Sequence, residues 1–186
     1  MKRIKTLFII ICMCVLPASA QVADNGGYAN VTRFVPYAAV IGMKAFGVDS
    51  RDEWRSLLVK TAASAVITAG VTYTMKETIH EWRPDMTDHK SFPSGHTAFA
   101  FAGATTLHHE FGHVSPWISV GGYAVATATA VDRVCRDRHY WYDTVAGAAV
   151  GFLSAELGFL VTDKLFPRRD VNVAVSPQGF YLCYGF

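Results

Sequence analysis

His139 and Asp143 stand four residues apart, and Arg133 precedes the histidine by six. On a helix that spacing puts imidazole and carboxylate on one face, one turn apart. The carboxylate then holds one ring nitrogen and leaves the other free to act as a nucleophile. A second histidine, His96, follows Phe92-Pro93-Ser94-Gly95 and opens an apolar run. Ser94 has the chemistry of a helix N-cap, and Gly95 lets its backbone come close to a ligand. A helix N-terminus offers unpaired amide hydrogens to a phosphate, and His96 would stand beside that anion. Lys76 and Arg83 are seven residues apart and share a face if one helix carries both, with Pro84 ending the run. Arg83 and Arg133 bring planar forks suited to phosphoryl oxygens, and Lys76 brings a point charge. Taken singly, each pair reads as a solvated helix face or a surface ion pair. Taken together, they are the parts of a phosphoryl-transfer site, in which fixed donors stabilise charge spread over three oxygens.

Lys76, Arg83 and Pro84, then Pro93 to His96, then Arg133, His139 and Asp143 resemble, in order and spacing, a known signature. It is that of the type 2 phosphatidic acid phosphatase superfamily, which includes lipid phosphatases, class A acid phosphatases and vanadium haloperoxidases. The resemblance covers 76–143 directly. One departure is Asp132, which stands where that signature has Ser before its Arg. The resemblance implies hydrolysis of a phosphate ester through a phosphohistidine, with no metal or cofactor. His139 would be the nucleophile, Asp143 its support, and His96 the acid and then the base. Lys76, Arg83, Ser94, Gly95 and Arg133 would bind the phosphoryl group. The substrate would be a phosphorylated lipid at a membrane or, as the alternative, a small soluble ester handled by a periplasmic acid phosphatase. Halide oxidation on bound vanadate is a further, weaker alternative within the same family.

A competing motif is His109-Glu110-Phe111-Gly112-His113, two histidines at helical spacing with a glutamate, as in zinc peptidases. Pro116 follows almost at once and no third ligand of the extended type stands nearby. The stretch also lies about 20 Å of helix from His96. An exposed polar helix end is the expected reading.

These residues must be positioned by a chain of 186 residues, enough for one domain with a core. Lys2, Arg3 and Lys5, an apolar run from Leu7 to Leu16 and Ala18-Ser19-Ala20 form the pattern of a secretory signal over 1–20. Without it, 14 basic residues face 15 acidic ones, which removes any global field for nucleic acid. Positive charge is local instead, at Lys76, Arg83, Lys90, Arg133, Arg136 and Arg138. That pattern suits a small anion. Export would place the site in the periplasm or on the non-cytoplasmic side of an envelope membrane.

Five apolar segments follow, near 31–48, 56–75, 95–110, 117–131 and 144–162. They predict an all-α fold, a compact helical bundle of about five helices filling 21–168. Gly147, Gly151 and Ala155 would let helices approach closely. Most segments are shorter than the roughly 20 residues a membrane span needs, although Tyr140-Trp141-Tyr142 suits a membrane surface. The tail, 169–186, alternates Val171, Val173 and Val175, turns at Pro177-Gln178-Gly179, then alternates Phe180, Leu182 and Tyr184, a short β-hairpin pattern. Cys135 and Cys183 would remain after export, either paired or as separate thiols.

Overall fold

The structure is a computed structural model that describes residues 28–166 and the backbone of two strands at 171–176 and 179–184. The expected signal sequence and the Pro177-Gln178 turn lie outside the described residues. Among the described residues six helices run in order: α1 (Ala29–Thr32), α2 (Val35–Ala45), α3 (Trp54–Thr78), α4 (Gly95–Phe111), α5 (Pro116–Cys135) and α6 (Trp141–Leu165). Strands β1 (Val171–Ser176) and β2 (Gly179–Tyr184) pair antiparallel, with Val171 opposite Tyr184 and Ser176 opposite Gly179.

All five apolar segments are helices, and the boundaries follow local chemistry. The first segment divides, because Pro36 in the opening turn of α2 has no amide hydrogen to continue the ladder from α1. Pro116 opens α5 in the same way, after an extended Ser115. α3 and α6 reach 25 residues each, longer than their apolar runs, and are long and apolar enough to cross a membrane. The expectation of segments too short to span is therefore corrected for these two. Their helical ladders continue through polar ends such as Lys76 and Asp163 to the next break in the backbone.

α4 is the central helix and packs against α2, α3, α5 and α6. It can do so because its buried positions are mostly small: Ala98, Ala100, Ala102, Gly103 and Ala104. The closest approach is to α6. A Cβ placed on Gly151 would lie 2.1 Å from the Ala98 carbonyl oxygen, and one on Gly147 would lie 2.5 Å from that of Ser94. The two helix N-termini that carry Ser94 and Asp143 are thereby set side by side, and the Ser94 amide donates to the Asp143 carbonyl at 3.0 Å.

Larger side chains, including Val40, Met43, Leu57, Leu107, Phe111 and Ile118, form the apolar core near the opposite end. There Lys60, 3% exposed, bridges Asp52 at 2.7 Å and Asp163 at 2.6 Å. Removing one member of such a buried set strands the others, so it locks α3 to α6. The His109–His113 stretch joins this end. His109 pairs with Glu156 at 2.8 Å, Glu110 accepts the Asp52 amide at 3.2 Å, and His113 faces Asp49 at 3.8 Å. The three side chains engage three different partners. Glu110 is fully buried rather than exposed, because the α2–α3 loop folds over it and supplies its donor.

Gly151→Ala should lower stability by ~1–3 kcal/mol, since the methyl group meets backbone that cannot yield without separating α4 from α6. Gly70→Ala, with nothing within 4 Å, should be neutral or slightly stabilising. Thermal unfolding of the two variants checks this, and equal midpoints would contradict the packing argument.

Candidate active site

The segment 79–94 and the short link 136–140 lie at one end of the bundle, above the N-termini of α4 and α6. α3 stops at Thr78 and Ile79 is extended, so Arg83 lies beyond the helix and does not share a helical face with Lys76. The hydroxyls of Thr74 and Thr78 already bond carbonyls of the last turns, and the chain then doubles back. The return brings Glu81 beside Lys90, with the Ser91 amide bonded to the Glu81 carbonyl at 3.1 Å. Lys76 is drawn in from the other side, its ammonium donating to the Lys90 carbonyl at 2.6 Å. Arg83 donates from Nε to Asp88 at 2.7 Å and from Nη1 to the Arg138 carbonyl at 3.3 Å. Its guanidinium thus ties the first motif to the third.

His139 also lies outside a helix, since α6 begins at Trp141 after the cap residue Tyr140. It meets Asp143 because that carboxylate folds back over the helix N-terminus. Asp143 Oδ2 accepts the Tyr140 amide at 2.9 Å and the Ser91 hydroxyl at 2.5 Å. It lies 3.7 Å from His139 Nδ1, farther than the hydrogen bond the spacing led us to expect. Both side chains are buried, and His139 Nδ1 and Asp143 Oδ1 have no hydrogen-bond partner. A small ring rotation would close the pair, a tightening common when such sites bind substrate.

Ser94 is fully buried at the N-cap of α4, but its hydroxyl contacts that of Thr97 at 3.0 Å instead of capping the backbone. Gly95 sits against α3, where an added Cβ would meet Thr72 at 3.4 Å and lie 3.8 Å from the Lys76 side chain. Arg133 is 3% exposed, with Nε and Nη2 lacking hydrogen-bond partners, so two donors are buried and unused. Asp132 leans toward α1, accepting Arg136 at 2.8 Å and the Ala29 amide at 3.4 Å, while its carboxylate stays 4.0 Å from Arg133 Nε. Its carboxylate anchors α1, which explains how an acid is tolerated beside Arg133. Lys90 and Arg138 are neutralised by Glu77 and Asp85, and His89 stacks on Trp82.

Three functional candidates escaped the reading of the sequence: Asn30, Arg33 and Ser91. His96 Nε2 lies 2.8 Å from Asn30 Oδ1 and 3.3 Å from Arg33 Nη1. Asn30 presents an acceptor and Arg33 a donor to the same nitrogen, so Nε2 is accommodated both with and without a proton. Asn30 and Arg33 are separated by one helical turn, but nothing in their spacing points to a partner over sixty residues away. Ser91 lies just before the Pro-Ser-Gly-His run and looks like an ordinary loop serine.

The electrostatics confirm convergence. Burial, then the charges of Arg33, Arg133, Arg83 and Lys76, push His96 down to about 3. Burial, then Arg83, Lys76 and Arg133, push His139 down to about 3, against a smaller upward pull from the Ser91 backbone. Both rings are therefore held neutral, with Lys76, Arg83 and Arg133 acting on both and Arg33 on His96. Of the residues selected from sequence, Lys76, Arg83, Ser94, Gly95, His96, Arg133, His139 and Asp143 all come to this end of the bundle. His109, Glu110 and His113 do not.

Comparison with known proteins agrees with this geometry. The chain is 43% identical over 138 residues to a lipid A 1-phosphatase of Porphyromonas gingivalis, covering 74% of this chain and 31% of that protein. It is 37% identical over 104 residues to lipid phosphate phosphatase 1 of Arabidopsis thaliana, half of this chain and 31% of the other. The chain thus spans about a third of the length of these relatives. Among solved structures, Aquifex aeolicus LpxE superposes with a TM-score of 0.57 at 18% identity, covering 72% of this chain and 84% of that one, a likeness of fold. The PAP2 superfamily profile matches residues 56–167, from the start of α3 past the end of α6 and across all three site segments. The chain belongs to the PAP2 superfamily.

Proposed function

We propose that the protein is a metal-independent phosphatase that hydrolyses a phosphate monoester of a lipid through a phosphohistidine on His139. One observation carries this reading: two neutral imidazoles, His139 buried and His96 half-buried, share the field of Lys76, Arg83 and Arg133, and His139 lies beside a buried carboxylate. Such a site is complementary to a multiply charged oxyanion. Its arginines and lysine supply the positive charge that phosphoryl transfer requires.

The ester phosphate would sit against Arg133, Arg83, Lys76, Ser94 and the Gly95 amide. His139 Nε2 attacks phosphorus, the P–N bond forms, and the P–O bond to the leaving group breaks. Asp143 takes up the hydrogen bond from Nδ1–H and steadies the imidazolium. The departing oxygen receives a proton from His96 Nε2. Water then attacks the phosphohistidine, giving its proton to His96, and breakage of the P–N bond frees phosphate and His139. His96 must carry a proton for the first half. Burial and then the cations hold its pKa near 3; a bound phosphate dianion offsets the cations and so raises it.

A lipid substrate is supported by the surroundings. Trp82, Met86 and Trp141 are exposed beside the site segments, as suits a membrane interface. α3 and α6 also carry Val66, Val71, Leu153, Leu157 and Leu160 outward. The relatives named above act on lipid phosphates, as their names state. We place the site on the non-cytoplasmic side, reached by export under the N-terminal signal pattern.

His139→Ala should lower phosphate release on the order of 10³-fold or more, and Asp143→Asn on the order of 10²-fold or more. Phosphate release from phosphatidic acid in mixed micelles, with and without EDTA, checks both the role and the metal independence. An active His139→Ala protein or EDTA-sensitive wild type would contradict the reading. Release from soluble esters alone would select the acid-phosphatase alternative.

The pH dependence has a definite sign. His139 is already deprotonated above about pH 4, given its downward shift, so it sets no acid limb there. His96 must be protonated, so kcat on an alkyl ester should fall as pH rises through its pKa in the complex. An alkaline limb that persists unchanged in His96→Ala would assign it elsewhere.

A further inference from the structure

Arg33 stands in the site without the tethers that hold Arg83 and Lys76. Arg83 is paired with Asp88, and Lys76 donates to backbone carbonyls. Among the described residues Arg33 has no carboxylate within ion-pair distance, and its Nε is buried with no hydrogen-bond partner. Its guanidinium lies 4.5 Å over the Phe34 ring, which meets Phe99 of α4 edge-on. These aromatic contacts fix its position without neutralising its charge. The segment that bears it is anchored as well. The Ala29 amide donates to Asp132, and the Thr129 hydroxyl donates to that of Thr32 at 2.8 Å, so α1 is held on α5 next to Arg133.

The location matters more than the charge. Arg33 Nη1 is 3.3 Å from His96 Nε2, the nitrogen that passes its proton to the departing oxygen. A group this close to the donor nitrogen is within reach of the oxygen to which that nitrogen gives its proton. An arginine can only donate hydrogen bonds. Once Nε2 carries its proton and turns to Asn30 Oδ1 or to substrate, the Arg33 N–H groups are left without their acceptor. The electron pair that collects on the ester oxygen as P–O breaks is the acceptor in reach.

Resting on the phosphatase reading, we infer that Arg33 is a substrate-contacting residue that stabilises the leaving-group oxygen and so sets which esters are cleaved. As the P–O bond breaks, its electron pair moves to the ester oxygen. Arg33 donates a hydrogen bond to that oxygen while His96 transfers the proton, and no other reactant is needed. The benefit grows with the basicity of the departing oxygen. It is large for an alkyl or glycosyl alkoxide and small for a phenolate that leaves unaided. Asn30 is a positioning residue that holds the protonated state of Nε2.

The test compares kcat/KM for dodecyl phosphate and para-nitrophenyl phosphate in wild type, Arg33→Ala and Arg33→Lys. Loss of one donor to a developing oxyanion is worth roughly 10²-fold. Arg33→Ala should lose about that factor on the alkyl ester and less than about a tenth as much on the aryl ester. Arg33→Lys should recover part of the alkyl activity. Aryl turnover by Arg33→Ala also reports that the site is folded. Equal losses on both esters, or no loss on either, would overturn the role of Arg33 and leave the phosphatase reading intact. A wild-type protein that cleaves neither ester would overturn both.

Discussion

Mutual repulsion among Lys76, Arg83, Arg133 and Arg33 is the constraint on which this site is built. Positive groups gathered around one buried and one half-buried imidazole are costly in a low-dielectric interior unless something negative arrives. The protein cancels that charge only in part. Asp132 is bound to Arg136 and the α1 amide and reaches Arg133 Nε only at 4.0 Å, Asp88 takes one edge of Arg83, and Asp143 faces His139. The imidazoles respond by staying neutral. That suits a nucleophile, and a bound dianion then shifts the balance toward a protonated His96. In the proposed reaction, substrate binding and acid–base readiness are coupled through one field.

Holding such a cluster requires a frame that does not relax. The frame is made by close contact of α4 and α6, where Gly147 and Gly151 leave no room for a side chain against the backbone of Ser94 and Ala98. It sets the second and third motifs side by side. The loop after α3 is then bound to the third, through the Ser91 hydroxyl to Asp143 and Arg83 to the Arg138 carbonyl. At the other end Lys60, Asp52 and Asp163 join the same helices. Polar side chains tie both ends of the bundle, and small residues bring its middle together.

Much of this was legible in the sequence, for identifiable reasons. Apolar runs of fifteen residues or more read as helices because only a helix pairs its backbone groups over that length. Motif order carried the site because the chemistry needs those residue types whatever the local conformation. Helical spacing was a poorer guide to geometry. Arg83 and His139 both lie just outside the helices that the arithmetic assumed, and loop and cap hydrogen bonds bring them in. Asn30 and Arg33 were invisible because their role exists only across a tertiary contact between α1 and α4. Glu110 was misjudged as exposed because burial of an acid depends on partners remote in the chain.

The central claim is that phosphorus becomes bonded to His139 during turnover. Acid-labile, base-stable label can be sought by rapid quench with an ester carrying radioactive phosphate, followed by peptide mapping. The account predicts transient label on the peptide containing His139, and none in His139→Ala. Label on another residue, or steady phosphate release with no labelled intermediate at any quench time, would contradict it.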